Sequence, residues 1–199
     1  MLGSITPLGE RGRGRRWMST TAPFVASSSI AGAFVGGALG AAGTPLGGAV
    51  RPAARLGALA AIVAIGIAVD RGVLGASLPS PRRQVNEEWL ATYRGWVVGV
   101  GFGAQLGAAI VTVVTSSATY AALAGALLSG RVAAGAAIGG AFGLTRGAAL
   151  LLVARVTTPD ALSTVHRALR RFDRPAASLA LTAQAAIATG AVAVAISAR

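Results

Sequence analysis

The chain has 199 residues, a formal charge of +12 and a mean hydropathy of +0.66, yet only 12% of its residues are charged. Its basic residues flank long apolar runs instead of forming a continuous phosphate-facing surface, which sets nucleic acid aside and makes the lipid bilayer the expected partner. With no Cys and a single His, His166, it has neither thiol chemistry nor the residues for a Cys or His metal cluster, and no cofactor is expected. All 18 basic residues are Arg; this fits a GC-rich coding sequence and points to a bacterial inner membrane.

No charge occurs over 17–50, 95–130 or 175–198. A bilayer core about 30 Å thick takes roughly 20 apolar residues of helix, so each run is long enough to cross. The first 22 residues read as a basic cytoplasmic segment carrying Arg11, Arg13, Arg15 and Arg16. The uncharged run after it is more than twice the roughly 7–15 residues of a signal-peptide apolar region, so it reads as a retained first span. Trp17-Met18-Ser19 after Arg15-Arg16 does not resemble a twin-arginine signal, and Pro7 with four glycines opposes an amphipathic presequence helix.

Residues 23–199 then form one all-α transmembrane domain of about five spans, at 24–43, 53–69, 95–115, 132–153 and 176–196. A straight helix over 95–128 would be about 51 Å long, too long for the bilayer, so a broken or re-entrant segment is expected after the third span. The hydroxyls of Thr112, Thr115, Ser116, Ser117 and Thr119 compete for backbone hydrogen bonds and mark the place. Five spans with a cytoplasmic N-terminus put 13 Arg inside and 4 outside; a sixth span reduces the contrast to 10 against 7. Trp17, Trp89, Tyr93 and Trp96 then share the cytoplasmic interface.

Two cytoplasmic connections, about 70–94 and 154–175, carry local signals. Asn86-Glu87-Glu88 reads as a helix start leading into the third span. Thr158-Pro159-Asp160 opens a helix to about Phe172, with Leu162, Val165, Leu169 and Phe172 along one face and Arg167, Arg170 and Arg171 displaced from it. That helix suits either the headgroup layer or packing on its own spans. His166 belongs to its polar flank, with no nucleophile or carboxylate pattern beside it, and no enzyme is expected.

Glycines recur every four residues at Gly32, Gly36 and Gly40, at Gly99, Gly103 and Gly107, and at Gly135, Gly139, Gly143 and Gly147. Residues four apart share one helix face, and Gly admits a neighbouring backbone closely. Residues 31–40 match 134–143 at seven of ten positions. Arg146 is the one strongly charged residue inside a span. It balances Asp70, snorkels, or binds an anionic solute. Gln105 and Gln184 share a depth near the bilayer centre and favour pairing or a wet cavity.

The segment Gly99-Val-Gly-Phe-Gly-Ala-Gln-Leu-Gly107 before Thr115-Ser116-Ser117, and Gly43-Thr44-Pro45-Leu46, resemble the transmembrane family of cytochrome c biogenesis and thiol-disulfide interchange proteins. In that family the helix breaks carry cysteines that pass electrons; here Leu46 and Ser117 stand where a thiol is wanted. The resemblance therefore implies a scaffold without the electron relay, and its usual six spans differ from the five read here. The period-four glycines also resemble glycine-zipper proteins of the inner-membrane translocase type. The functional expectation is a small permease-like protein whose substrate is open, with anions a candidate class, and with Arg146, Gln105, Gln184, Thr112, Thr115 and Ser116 at its polar region. The alternative is a non-transporting scaffold or assembly subunit whose glycine faces bind its own helices or a partner membrane protein.

Overall fold

The computed structural model describes residues 5–75, 89–109 and 116–197, and every regular element in them is helical. In chain order these are α1 Pro7–Gly12, α2 Trp17–Ala42, α3 Thr44–Ala49, α4 Pro52–Asp70, α5 Trp89–Thr92, α6 Gly95–Ala108, α7 Ala118–Ser129, α8 Val132–Ala148 with a 3-10 extension Ala149–Val153, and α9 Pro159–Ser197. Four helices are long and apolar enough to cross a membrane: α2, α4, α8 with its extension, and α9. The chain is a helical multi-pass membrane protein.

Helix α2 is the axis. It packs against α8 on one side and α6 on the other, and glycine sets the closeness of both contacts. A Cβ added to Gly32 or Gly36 would collide with the carbonyl of Gly139 or Gly135, and one on Gly40 with that of Arg131. From the other side, Gly135, Gly139 and Gly143 press on the carbonyls of Gly36, Gly32 and Ser28, while Gly147 lies against Val25 and Ser28. Gly99, Gly103 and Gly107 of α6 press in turn on the carbonyls of Thr20, Phe24 and Ser28. Such approach brings hydroxyls within reach of the next helix: Ser28 Oγ donates to the Gly143 carbonyl at 2.7 Å and Ser29 Oγ to that of Gly140 at 3.1 Å. The two matching decapeptides, 31–40 and 134–143, face each other here, so one packing requirement accounts for the small residues on both sides.

The glycine contacts also fix heights. α6 runs parallel to α2, starting beside Thr20 and ending beside Ser28. There it stops: Ala109 takes a left-handed conformation at φ 59° and terminates the helix. α7 starts at Ala118 and ends near the far end of α2, where Gly43 meets the Leu127 carbonyl. With 14 and 12 residues, the two pieces are about 21 and 18 Å long, and together they match the roughly 39 Å of α2. Thus the run 95–128 does break, starting at Ala109, before the hydroxyl cluster; Ser117 and Thr119 belong to the start of α7, and Thr112 and Thr115 lie outside the described residues.

Three further observations bear on the expectations. First, the opening long helix begins at Trp17, ahead of the span expected at 24–43, and a short helix precedes it. Thr6 caps α1 by accepting from the Gly9 N–H at 3.0 Å, with Pro7 in the first turn. Ile5 and Leu8 join Phe24, Leu90, Val98, Phe102, Leu150, Val153 and Val156 in an apolar core at one end of the bundle. Glu10, fully buried, pairs with Arg13 at 2.7 Å and accepts from Thr20 Oγ1 at 2.8 Å. Second, α9 does not end near Phe172 but continues through Pro175 to Ser197. A proline costs one helical hydrogen bond, whereas α9 is anchored on both sides of it, by Leu162 and Val165 on the apolar core and by its contact with α4. Third, of the two settings open to the first half of α9, Leu162 and Val165 pack on the chain's own core, while Phe172 is exposed. The helix start expected at Asn86 lies outside the described residues. Trp17, Trp89, Tyr93 and Trp96 gather at the core end: Trp17 Nε1 reaches the Ile5 carbonyl at 3.4 Å, and Trp89 stacks on Phe102 at 6.1 Å and meets Tyr93 edge-on at 5.3 Å.

The packing yields a contrast between two helical glycines. Gly139→Ala should destabilise the detergent-solubilised protein by about 2 kcal/mol or more, since backbone must separate. Gly190 of α9 has open space around it, and Gly190→Ala should be neutral or stabilising by about 0.5–1 kcal/mol. Thermal unfolding of both variants measures the difference, and equal midpoints would show that the glycine face tolerates side chains.

Candidate functional site at the helix break

A helix that stops inside the bundle leaves its last carbonyls and its successor's first amides without helical partners. At the end of α6 the Arg146 guanidinium supplies a donor: Nη1 bonds the Leu106 carbonyl at 3.1 Å, while the guanidinium carbon sits 5.3 Å from the centre of the Phe142 ring. At the start of α7 the Asp70 carboxylate accepts from the Ser117 backbone N–H at 3.0 and 3.1 Å, from Ser116 Oγ at 3.1 Å, and lies 2.8 Å from Ser117 Oγ. The cation stands at a negative helix end and the anion at a positive one, so both match the helix dipoles.

Helix α4 serves α7 at both ends. Asp70 closes α4 and holds the start of α7, and fifteen residues earlier Arg55 Nη1 lies 3.4 and 3.5 Å from the Leu128 and Ser129 carbonyls that end it. The two helices are therefore antiparallel, with complementary charge at each end.

Gln184 of α9 completes the cluster around Ser117. It is 3% exposed, and its Oε1 lies 2.8 Å from Ser117 Oγ. Gly66 of α4 makes room: a Cβ on it would come within 2.7 Å of the Ser117 Cβ. Three helices, α4, α7 and α9, thus bring a carboxylate, two hydroxyls and an amide to one point beside the break.

Of the residues singled out by sequence, Arg146 and Ser116 fall at the two sides of the break, and Gln184 falls beside Ser117. The expected Arg146–Asp70 contact does not form: each group is taken by a different half-helix end. Nor do Gln105 and Gln184 meet. Gln105 is half-buried on α6, which packs on α2 and α8, while α9 packs on α4. What sequence reading missed is that Asp70, Ser117 and Gln184 act together. Ser116-Ser117 ahead of an apolar run is a helix-start signal, but a carboxylate arriving from another helix leaves no local trace. Leu46 and Ser117, set apart by the family resemblance, sit near opposite ends of α7: Leu46 is on α3 just past Gly43, which meets Leu127, and Ser117 is ten residues, about 15 Å, from Leu127.

Among the described residues no group of three or more His, Cys, Asp or Glu comes together that could hold a metal ion. Comparison of the chain with protein-family models, with curated proteins and with solved structures gave no match.

A double-mutant cycle separates the observed contacts from the expected pair. Asp70→Asn and Ser117→Ala should show a coupling of about 1–2 kcal/mol in detergent unfolding, as for a hydrogen bond to a charged group. Asp70→Asn and Arg146→Gln should couple less. A larger coupling for the second pair would mean that the two charges meet directly.

Proposed function

We propose that the protein is a small permease-like carrier with five membrane crossings, the third made of α6 and α7 in series, and that its solute site is the break between them. The observation that carries this reading is the break itself: two half-helices ending beside the middle of α2, with a cation at one end and an anion at the other. Irregular backbone at membrane depth is tolerated where it is buried in protein or lines an aqueous cavity. Facing half-helix ends near the midplane are the recurring form of a solute or ion site in secondary carriers. The Arg bias supports a cytoplasmic N-terminus, a periplasmic C-terminus and a bacterial inner membrane.

The solute class follows from charge. Arg146 adds a cation beside the break and favours an anionic solute. No catalytic role is assigned to any residue. The glycine faces pack the chain's own helices together, which suits a scaffold as well as a carrier; the helix break is what favours the carrier.

Because the chain lacks Cys, any introduced thiol is unique. Ser116→Cys should react with a small water-soluble thiol reagent in membranes, while Gly36→Cys, if it folds, and Ser28→Cys should not. A Ser116→Cys protein that stays unmodified while folded would mean a dry break, and the carrier reading would fail.

A further inference from the structure

Helices α4 and α7 run antiparallel, but their faces do not close on each other. Between them lies a groove of about 340 Å³, with Arg55, Leu56 and Leu59 of α4 on one wall and Gly125, Leu128 and Ser129 of α7 on the other. Gly125 keeps it open. The glycines between α2, α6 and α8 touch backbone, whereas a Cβ on Gly125 would meet nothing nearer than Leu59 Cδ1 at 4.0 Å. An unfilled apolar gap forfeits dispersion contacts along its walls, and in a bilayer the material at hand to fill it is an acyl chain.

The groove lies at the depth where acyl chain and headgroup meet. Helix α4 has 19 residues and is about 28 Å long, close to the thickness of a hydrocarbon core. Its first turn, with Arg51 and Arg55, therefore stands at one interface, and Leu59 lies one turn deeper. Lipid tails are as apolar as leucine, so the apolar walls do not choose among lipids. The choice falls to the charge at the mouth.

Arg55 is half-buried there. Its Nη1 reaches the Leu128 and Ser129 carbonyls at 3.4 and 3.5 Å, its Nε is buried without a partner, and no other nitrogen of the group has a partner among the described residues. A guanidinium has more N–H donors than these long contacts use, in a fork that suits a phosphate. The surroundings add charge of the same sign. Arg51 and Arg131 stand immediately before α4 and α8, two helices that begin at this end without a side-chain cap. No acidic residue occurs over 43–69 or 118–145, the stretches that build it. The negative end of α7 opposes an anion, but its roughly half charge is outweighed by these arginines and by the two positive helix ends.

We infer that the groove between α4 and α7 binds an anionic phospholipid, with one acyl chain along Leu56, Leu59 and Leu128 and the headgroup phosphate on Arg55. A lipid fits where a small anion does not, because the walls run on from the cation into an apolar trough that a phosphate ion would leave unfilled. Bound there, the lipid bridges α4 and α7 and supplies the acceptor that Arg55 lacks. The site requires the membrane setting and is independent of the carrier reading.

The test uses the full chain in phosphatidylcholine vesicles with a trace of lipid that carries a photoactivatable acyl chain, on either a phosphatidylglycerol or a phosphatidylcholine headgroup. Adducts are mapped by peptide mass. The phosphatidylglycerol probe should mark Leu56, Leu59 and Leu128 about tenfold more than the phosphatidylcholine probe, the scale of a hydrogen bond between charged groups. Arg55→Gln should remove that preference. Gly125→Leu, which fills the groove, should remove the adducts of both probes there. Marking of Leu179, exposed on α9, and the thermal midpoint identify variants that remain folded in the bilayer. In the unaltered chain, unlabelled phosphatidylglycerol should suppress the groove adducts and millimolar inorganic phosphate should not. Equal marking by the two probes, a preference that survives Arg55→Gln, or groove adducts that persist in a folded Gly125→Leu would each overturn the site. Suppression by inorganic phosphate would overturn it in favour of a free anion, and absence of groove adducts from either probe in favour of a second copy of the chain seated on it.

Discussion

Ending one helix and starting the next inside the bundle leaves the last carbonyls of α6 and the first amides of α7 without helical partners. The rest of the structure answers that constraint. Arg146 comes from α8 to the end of α6, and Asp70 from α4 to the start of α7. Arg146 lies inside the apolar α8 and Asp70 closes α4, and each meets a backbone end of the interrupted helix. Each is met by a half-helix dipole and an orphan backbone group.

Holding those ends in register requires helices that do not slide. Glycine provides this through contact, since α2 touches α6 and α8 backbone to backbone, and a ridge of side chains would keep the axes farther apart. Ser28 is the point where α6 and α8 converge: Gly107 and Gly143 both press on its carbonyl, and its hydroxyl is bonded to Gly143. The end of α6 is therefore set against the most tightly packed turn of α2. By contrast α4 and α9 bury little of their length and meet the rest through α7 and each other. The tightly packed unit borders one side of the break, and α4 and α9 bring Asp70 and Gln184 to the other.

The apolar runs and the absence of charge made the membrane class legible from sequence, because a bilayer reads length and hydropathy alone. Period-four glycine made the packing faces legible for a similar reason: the requirement repeats on one strip of helix. The break was legible as a necessity from length, though not its start, since Ala109 carries no sign that it will turn left-handed. Partners were not legible. Arg146 and Asp70 looked like a pair because opposite charges in a membrane suggest each other, and only the fold shows that helix ends compete for both. Helix α1 was not legible, for a different reason. Thr6-Pro7 and Glu10 with Arg13 are helix signals over too few residues to stand alone, and α1 is held by burial of Ile5, Leu8 and Glu10.

The central claim is that α6 and α7 are two halves of one crossing. Single cysteines at Arg94, just before α6, and at Arg131, just after α7, probed with a membrane-impermeant maleimide on intact and inverted vesicles, test it most directly. The account requires labelling from opposite sides. Labelling of both from the same side would make the segment a hairpin or a re-entrant loop, and the pairing of Arg146 and Asp70 with the two ends of a broken crossing would have to be abandoned.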